Sequence, residues 1–278
     1  MSRLRKVLDR YYREYDFQGR LLSDPIAIPH RYREPRDIEV SGFIASSFAY
    51  GKVDLFLPVV KRILSPMGQS PSRFLADFSI RRHRRLFSGI KYRFNQNDDI
   101  IALLYGLHGI LSKHSSLESV FMQHYRKEDE SVEQGLSGLM AAFLQEDTTK
   151  VYGTNSRPPG LLQFFPMPEK GSACKRANLF LRWMVRDRDI DFGVWKGVPR
   201  NRLVIPLDTH IAHIATCLGF TQRKTQDWKM AVEITQALRG LDADDPLKYD
   251  FALCHHGIAG LCKEGRKTNC RTCVLKGL

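Results

Sequence analysis

Apolar residues recur at helical spacing along most of the chain. Residues 38–50 are small or apolar on nearly every side, which predicts a mostly buried helix. Residues 54–64 continue with a second apolar pattern of the same period. The same reasoning predicts further helices over 70–78, 98–113, 172–187, 209–218, 227–239 and 246–259. Alternating strand patterns are lacking, and the short apolar run 203–205 fits a buried coil as well as a strand.

Glycines and prolines interrupt the helical pattern between residues 146 and 170, which marks a connecting segment. The pattern therefore predicts an all-α fold of two helical lobes with a central cleft. We expect one domain over residues 1–278, with approximate lobes at 35–165 and 166–278. Residues 1–34 are expected to pack with the second lobe. There is no internal repeat.

Composition and charge narrow the class of protein. The chain has 278 residues, of which 43% are hydrophobic, and no stretch approaches the roughly 20 apolar residues of a membrane helix. The basic N-terminus is followed by further charges rather than by a signal-peptide core, so we expect a cytoplasmic protein. We also expect the protein to be a monomer. Lys and Arg total 43 against 30 acidic residues, a net charge of +13. Such an excess favours nucleic acid as the partner, although an inert basic surface is the alternative.

One cluster of arginines lies between two predicted helices, at residues 81–85. A solvated loop and a phosphate-contacting loop explain this run equally well. Within it, Arg84 and Arg85 are candidate DNA contacts. Arg182 is a further candidate, because it lies close in sequence to the lysine described next.

Two short segments carry the candidate chemistry. Gly171 precedes a predicted helix whose first turn contains Lys175, and backbone N–H groups at such a terminus can bind a phosphate. A lysine amine is also a nucleophile when its proton is removed. Asp208 stands directly before the predicted helix 209–218, where an aspartate is usually only an N-cap. Its alternative role is that of an acidic partner in catalysis.

Taken together, these segments resemble the helix-hairpin-helix DNA glycosylase superfamily, which includes the endonuclease III-like enzymes. Residues 171–178 (GSACKRAN) are similar to its Gly-x-Gly-x-Lys-x-Ala-Asn element, and residues 207–210 (LDTH) to its Val-Asp-Thr-His segment. His256-Gly257 followed by Cys262 corresponds to its His-Gly pair and cysteine cluster. The resemblance spans roughly residues 35–274 and is more specific after residue 165.

The chain departs from that pattern in the hairpin and in the spacing of the two motifs. Ala173 replaces the second hairpin glycine, and Pro168-Glu169-Lys170-Gly171 replaces the usual Leu-Pro-Gly turn. Asp208 follows Lys175 by 33 residues, with Asp187 to Arg202 as an apparent insertion. That spacing is similar to the archaeal 8-oxoguanine glycosylase branch.

The resemblance implies a base-excision repair glycosylase with AP lyase activity, acting on double-stranded DNA that contains a damaged base, of which an oxidised purine is favoured. Lys175 would attack C1′ of the sugar, and Asp208 would stabilise charge and move protons. The predicted DNA contacts are Gly171, Ala173, Arg176, Arg182, Arg84 and Arg85. The predicted residues of the base pocket or wedge are Phe48, Tyr50, Tyr92, Phe94 and Trp183, each of which could instead be core. The alternative function is a catalytically inactive module that binds DNA or RNA. A metal-dependent hydrolase is disfavoured, since no His/Asp cluster has ligand spacing.

Cysteines crowd the end of the chain, where Cys262, Cys270 and Cys273 are close to the superfamily's four-cysteine cluster pattern without its fourth member. Cys254 could supply the fourth ligand if its helix lies near, and zinc would accept a similar set or His255. The chemistry itself requires no cofactor. A structural metal or iron–sulfur cluster at these cysteines therefore stands beside the simpler interpretation of buried, unliganded cysteines.

Overall fold

All regular structure is helical in the computed structural model of the protein, which describes residues 3–262 and 273–276. The α-helices of this part of the chain are α1 (Arg3–Arg13), α2 (Phe17–Leu21), α3 (Pro35–Ser47), α4 (Val53–Leu64), α5 (Pro71–Ala76), α6 (Ile80–His83), α7 (Asn97–Lys113), α8 (Leu117–Met122), α9 (Glu133–Gln145), α10 (Thr149–Tyr152), α11 (Pro159–Leu162), α12 (Lys175–Val185), α13 (Thr209–Cys217), α14 (Trp228–Leu241) and α15 (Asp250–Ile258). Short 3-10 turns connect several of them, for example at Pro25–Ala27 and Pro168–Lys170. The prediction of an all-α fold is confirmed.

Every segment that the pattern predicts as helical contains a helix, but some bounds differ. The helix predicted over 172–187 begins only at Lys175, because Gly171 and Cys174 have left-handed backbones with φ of +78° and +49°. The run 203–205 is buried and irregular, and the backbone N–H of Ile205 donates to the Thr235 hydroxyl at 3.0 Å. Seven of the described α-helices were not predicted, namely α1, α2, α6, α8, α9, α10 and α11.

Helix α3 lies at the centre of the core, with residues 37–47 all buried. It packs against α12, where Gly42 faces the side chains of Met184 and Phe180. Phe43 stacks on Phe143 with ring centroids 4.9 Å apart and meets Phe180 edge-on at 5.3 Å. This packing directs the chain that leaves α3, residues 48–53, toward the beginning of α12.

Residues near the N-terminus pack on the C-terminal part of the chain. The Tyr11 hydroxyl lies 3.1 Å from Nδ1 of His256, and the Tyr249 hydroxyl donates to Asp9 at 2.6 Å. Asp24, immediately before the turn Pro25–Ala27, lies 3.1 Å from Nε2 of His255. Helix α15 is therefore covered on one side by the N-terminal segment.

Helix α15 packs closely on α13 on its other side. Gly257 makes this approach feasible, because a Cβ atom there would lie 2.6 Å from Cβ of His210. The contact positions the start of α13 beside α15 and so brings the segment around Asp208 to the beginning of α12.

None of the described helices combines the length and the apolar composition that a membrane crossing needs.

Candidate active site

Lys175 is the first residue of α12, and its side chain reaches toward the end of the α3 segment. The amine Nζ donates to the backbone carbonyl of Ala49 at 3.1 Å and lies 4.0 Å from Oδ2 of Asp208. The lysine side chain is 31% exposed, so solvent reaches it. The structure thus brings together the Lys175 amine and the Asp208 carboxylate, which the two sequence motifs predict as the reactive pair.

Asp208 uses its two carboxylate oxygens differently. Oδ1 accepts from the backbone N–H of Ile211 at 2.9 Å and so caps α13. Oδ2 faces the Lys175 amine and also accepts from the Cys254 thiol, whose Sγ lies 3.6 Å away. The N-cap role and the role of acidic partner are therefore compatible in one residue.

Cys254 was not expected in this position. Burial, together with the nearby Asp208 and Asp250 carboxylates, raises the pKa of the Cys254 thiol well above its usual value. The thiol is therefore neutral near pH 7, keeps its proton and donates a hydrogen bond to Asp208. The carboxylate oxygen next to Lys175 is consequently held from two sides.

A solvent-accessible cleft of about 660 Å³ surrounds the Lys175–Asp208 pair. Its apolar lining includes Tyr50, Phe56, Leu179, Pro206 and Phe251. This volume lies within the usual range of pockets that enclose small organic groups. The pair is therefore placed in a concave site of suitable size and not on an open surface.

The predicted aromatic residues separate into three groups. Tyr50 lines the cleft, and its hydroxyl donates to Asn95 at 2.5 Å. Phe94 is 63% exposed on the turn that the Tyr92–Asn95 bridge closes. Phe48 and Trp183 are fully buried and Tyr92 is buried, which corrects their assignment to the base pocket or wedge, because tight apolar packing keeps all three in the core.

Two of the predicted DNA-contacting arginines are engaged inside the protein. Arg182 is 3% exposed and pairs with Asp250 at 2.5 Å and with Asp191 at 3.3 Å, so its prediction as a phosphate contact is corrected. Arg176 donates to the backbone carbonyls of Ser47 and Gln163 and lies over the Tyr50 ring at 4.9 Å.

Burial lowers the pKa of Arg176 to about 10. Its role in the structure is to join α12 to the end of α3.

The remaining predicted contacts lie at the surface. Arg85 is exposed, whereas Arg84 pairs with Asp98 and donates to the Val151 carbonyl at 3.3 Å. Gly171 is exposed and Ala173 half-buried in the turn before α12. That turn is joined to the start of α14, where the N–H of Trp228 donates to the Gly171 carbonyl at 3.4 Å.

The segment 187–202, the apparent insertion, is held by buried ion pairs. Arg186 bonds Asp189 at 2.7 Å, Asp191 at 2.9 Å and Asp245 at 2.9 Å. The Asp191 carboxylate also forms an ion pair with Arg182. These pairs fix the segment against α12 and the residues before α15. Arg182 and Arg186, which lie near Lys175 in sequence, therefore hold this segment in place.

Sequence reasoning missed two acidic residues that line the cleft, Asp24 and Asp250, and assigned other roles to three further polar residues of its lining. Arg182 was predicted as a DNA contact, and Cys254 and His255 were candidate metal ligands. Asp24 and His255 are 231 residues apart in the chain, and no motif links them. The only local signal was the position of His255 beside the His256-Gly257 pair.

The predicted metal site is not assembled within residues 3–262 and 273–276. In that part of the chain no three His, Cys, Asp or Glu side chains are grouped as metal ligands would be. Cys254 faces Asp208 in the cleft, whereas Cys273 Sγ lies 4.0 Å from Nε2 of His256. Cys254 therefore does not fit as the fourth ligand beside Cys273. Cys270, the third cysteine of the predicted set, lies outside the described residues.

Comparison with known proteins identifies the family of the chain. Residues 24–259 match a family described as proteins of unknown function, DUF2400, and since this covers most of the sequence the chain belongs to that family. The same comparison found no match to this chain among the curated proteins or among the solved structures.

Proposed function

We propose that this protein is a DNA-repair glycosylase with AP lyase activity, in which Lys175 is the nucleophile and Asp208 its acidic partner. The observation that supports this proposal is the 4.0 Å approach of Lys175 Nζ to Asp208 Oδ2 within a solvent-accessible cleft. The motifs around both residues resemble those of the helix-hairpin-helix glycosylases at the corresponding places in the chain.

The chemistry follows from this pair of groups. Asp208 accepts a proton from Lys175, directly or through one water molecule, which frees the amine lone pair. The nitrogen then forms a bond to C1′ while the glycosidic bond breaks. The electron pair of that bond leaves with the base, which takes the proton from Asp208 and so restores its carboxylate. Positive charge develops on the sugar during this step, and the Asp208 carboxylate stabilises it. Ring opening gives an imine between Lys175 and C1′, from which β-elimination cleaves the strand.

The proposed substrate is double-stranded DNA with a damaged base, an oxidised purine being favoured. Such a base must leave the stack before the amine can reach its sugar. A cleft of about 660 Å³ with Tyr50 and Phe251 in its lining is large enough to receive it. The net charge of +13 favours association with a polyanion. We propose that the enzyme acts as a cytoplasmic monomer.

Borohydride reduction tests the proposal, because it converts a lysine imine into a stable covalent adduct. The protein is incubated with a duplex containing one abasic site, reduced, and separated by denaturing electrophoresis. We expect an adduct with the wild-type chain and at least a hundredfold less with Lys175→Ala.

Lys52→Ala is the matched control, because Lys52 is the other lysine that the described residues contribute to the cleft lining. This variant should form the adduct as the wild type does. Salt-sensitive binding of duplex DNA without any adduct would instead support the binding module that lacks turnover.

A further inference from the structure

A second pair of titratable groups lies in the same cleft as Lys175 and Asp208. Nε2 of His255, on α15, is 3.1 Å from Oδ2 of Asp24, and both residues line the cleft. Their side chains are 7% and 15% exposed. Buried carboxylate–imidazole pairs orient the ring and select its tautomer.

The tautomer of His255 follows from its partner. An ionised carboxylate only accepts hydrogen bonds, so Nε2 carries the proton that is donated to Asp24. Nδ1 then bears a free lone pair, and it makes no hydrogen bond with the described residues. Oδ1 of Asp24 accepts from the N–H of Ile26 at 2.9 Å, which fixes the carboxylate itself.

The proposed lyase step requires a proton acceptor other than Asp208. Oδ1 of Asp208 is used to cap α13, and Oδ2 is held by Cys254 and faces Lys175. Asp250, which also borders the cleft, is paired with the buried Arg182. Among these groups, His255 combines an orienting carboxylate with an unoccupied nitrogen.

We propose that His255, oriented by Asp24, is the base that removes the C2′ proton in the β-elimination step. This inference rests on the proposed function. The Nδ1 lone pair takes the proton from C2′ of the sugar that is joined to Lys175 as an imine. The C2′–H electron pair forms the C2′=C3′ bond, and the C3′–O bond breaks with its electrons leaving on the 3′ phosphate. The imidazolium afterwards returns the proton to solvent.

The experiment separates imine formation from elimination on a duplex with one abasic site. Borohydride trapping measures the imine, and strand cleavage without borohydride measures elimination above the rate without protein. For His255→Gln we expect a trapping yield within twofold of the wild type and a cleavage rate at least tenfold lower. The glutamine amide can still donate to Asp24, which preserves the buried contact.

Asp24→Asn gives a second variant, since its amide oxygen still accepts from Ile26 while the charge that orients His255 is lost. We expect an intermediate loss of cleavage with trapping retained. His213→Gln, on α13 and away from the cleft lining, is the control and should behave as the wild type.

Three outcomes overturn the inference. Unchanged cleavage by His255→Gln eliminates His255 as the base while leaving the proposed function intact. Equal loss of trapping and cleavage in both variants, with thermal melting as for the wild type, shows that the pair shapes the site and does not transfer the proton. Absence of any adduct with the wild type overturns the proposed function and this inference together.

Discussion

Asp208 combines a structural and a proposed chemical role at the scale of a single residue. Oδ1 caps α13, whereas Oδ2 faces Lys175. The sequence indicated an N-cap role and a catalytic role for Asp208, but it did not show that each role uses a different carboxylate oxygen. Substitutions that keep the capping atom can therefore separate stability from reactivity.

Asp208→Asn retains an oxygen that can cap α13, and asparagine is as good an N-cap as aspartate. We expect its free energy of unfolding to stay within about 0.5 kcal/mol of the wild type, and that of Asp208→Ala to fall by about 1 kcal/mol. Both variants lose the carboxylate and should form on the order of 100-fold less borohydride adduct. Urea unfolding and the trapping assay measure the two effects. Wild-type adduct yield from Asp208→Asn would contradict the role of the charge.

At the scale of helices, the site depends on how closely α13 packs on α15. Gly257 lies at this contact, where Cβ of His210 leaves no room for a further carbon atom. The same packing places Cys254 against Asp208. The distance between the two helices therefore controls the position of the proposed acidic partner.

Gly257→Ala is expected to lower the free energy of unfolding by about 1–3 kcal/mol, because the added methyl group must push α13 away. Adduct yield should fall with it, since Asp208 moves with α13. Gly240→Ala in α14 is the matched control. A Cβ at Gly240 meets no heavy atom within 4 Å, and helix propensity predicts a gain of up to about 1 kcal/mol. Chemical denaturation of both variants checks this pair, and equal stability of Gly257→Ala and the wild type would refute the packing argument.

At the scale of the whole molecule, many tyrosines are partly buried where α1, α15 and the cleft meet. Burial raises the pKa of Tyr12, Tyr15 and Tyr50 to about 12 each. In the unfolded chain these phenols lose their protons near pH 10. Unfolding therefore releases protons from these tyrosines between about pH 10 and pH 12. The stabilisation that their burial in the neutral form contributes is fully present below pH 10 and is lost as the pH rises toward 12.

We expect the melting temperature to be constant from pH 8 to pH 9.5 and to fall steeply above pH 10. The partly buried ion pair of Lys248 with Asp242 acts in the same direction. Desolvation lowers the pKa of the Lys248 amine, but the carboxylates that bond it outweigh this effect and raise the pKa overall. Tyr15→Phe is the test variant, because the Tyr15 hydroxyl is buried without a hydrogen-bond partner among the described residues. Its melting temperature should fall less steeply above pH 10. Parallel curves for the variant and the wild type would rule out a contribution of Tyr15.

The amino-acid sequence by itself determined the all-α class, most helix positions and the two candidate reactive residues. These features depend on local properties, namely the period of apolar residues and short motifs such as LDTH at 207–210. Neighbours within one or two turns decide whether a segment is helical, so a single sequence contains that information.

Only the tertiary structure decided which side chains reach the cleft. Arg182 resembled a phosphate contact until Asp191 and Asp250, the latter 68 residues away in the chain, were seen to bury it. Trp183 is likewise buried in the core by the packing of other segments around α12. Asp24 meets His255 only because the N-terminal segment packs on α15. Burial and pairing depend on contacts between distant segments, and no local pattern encodes them.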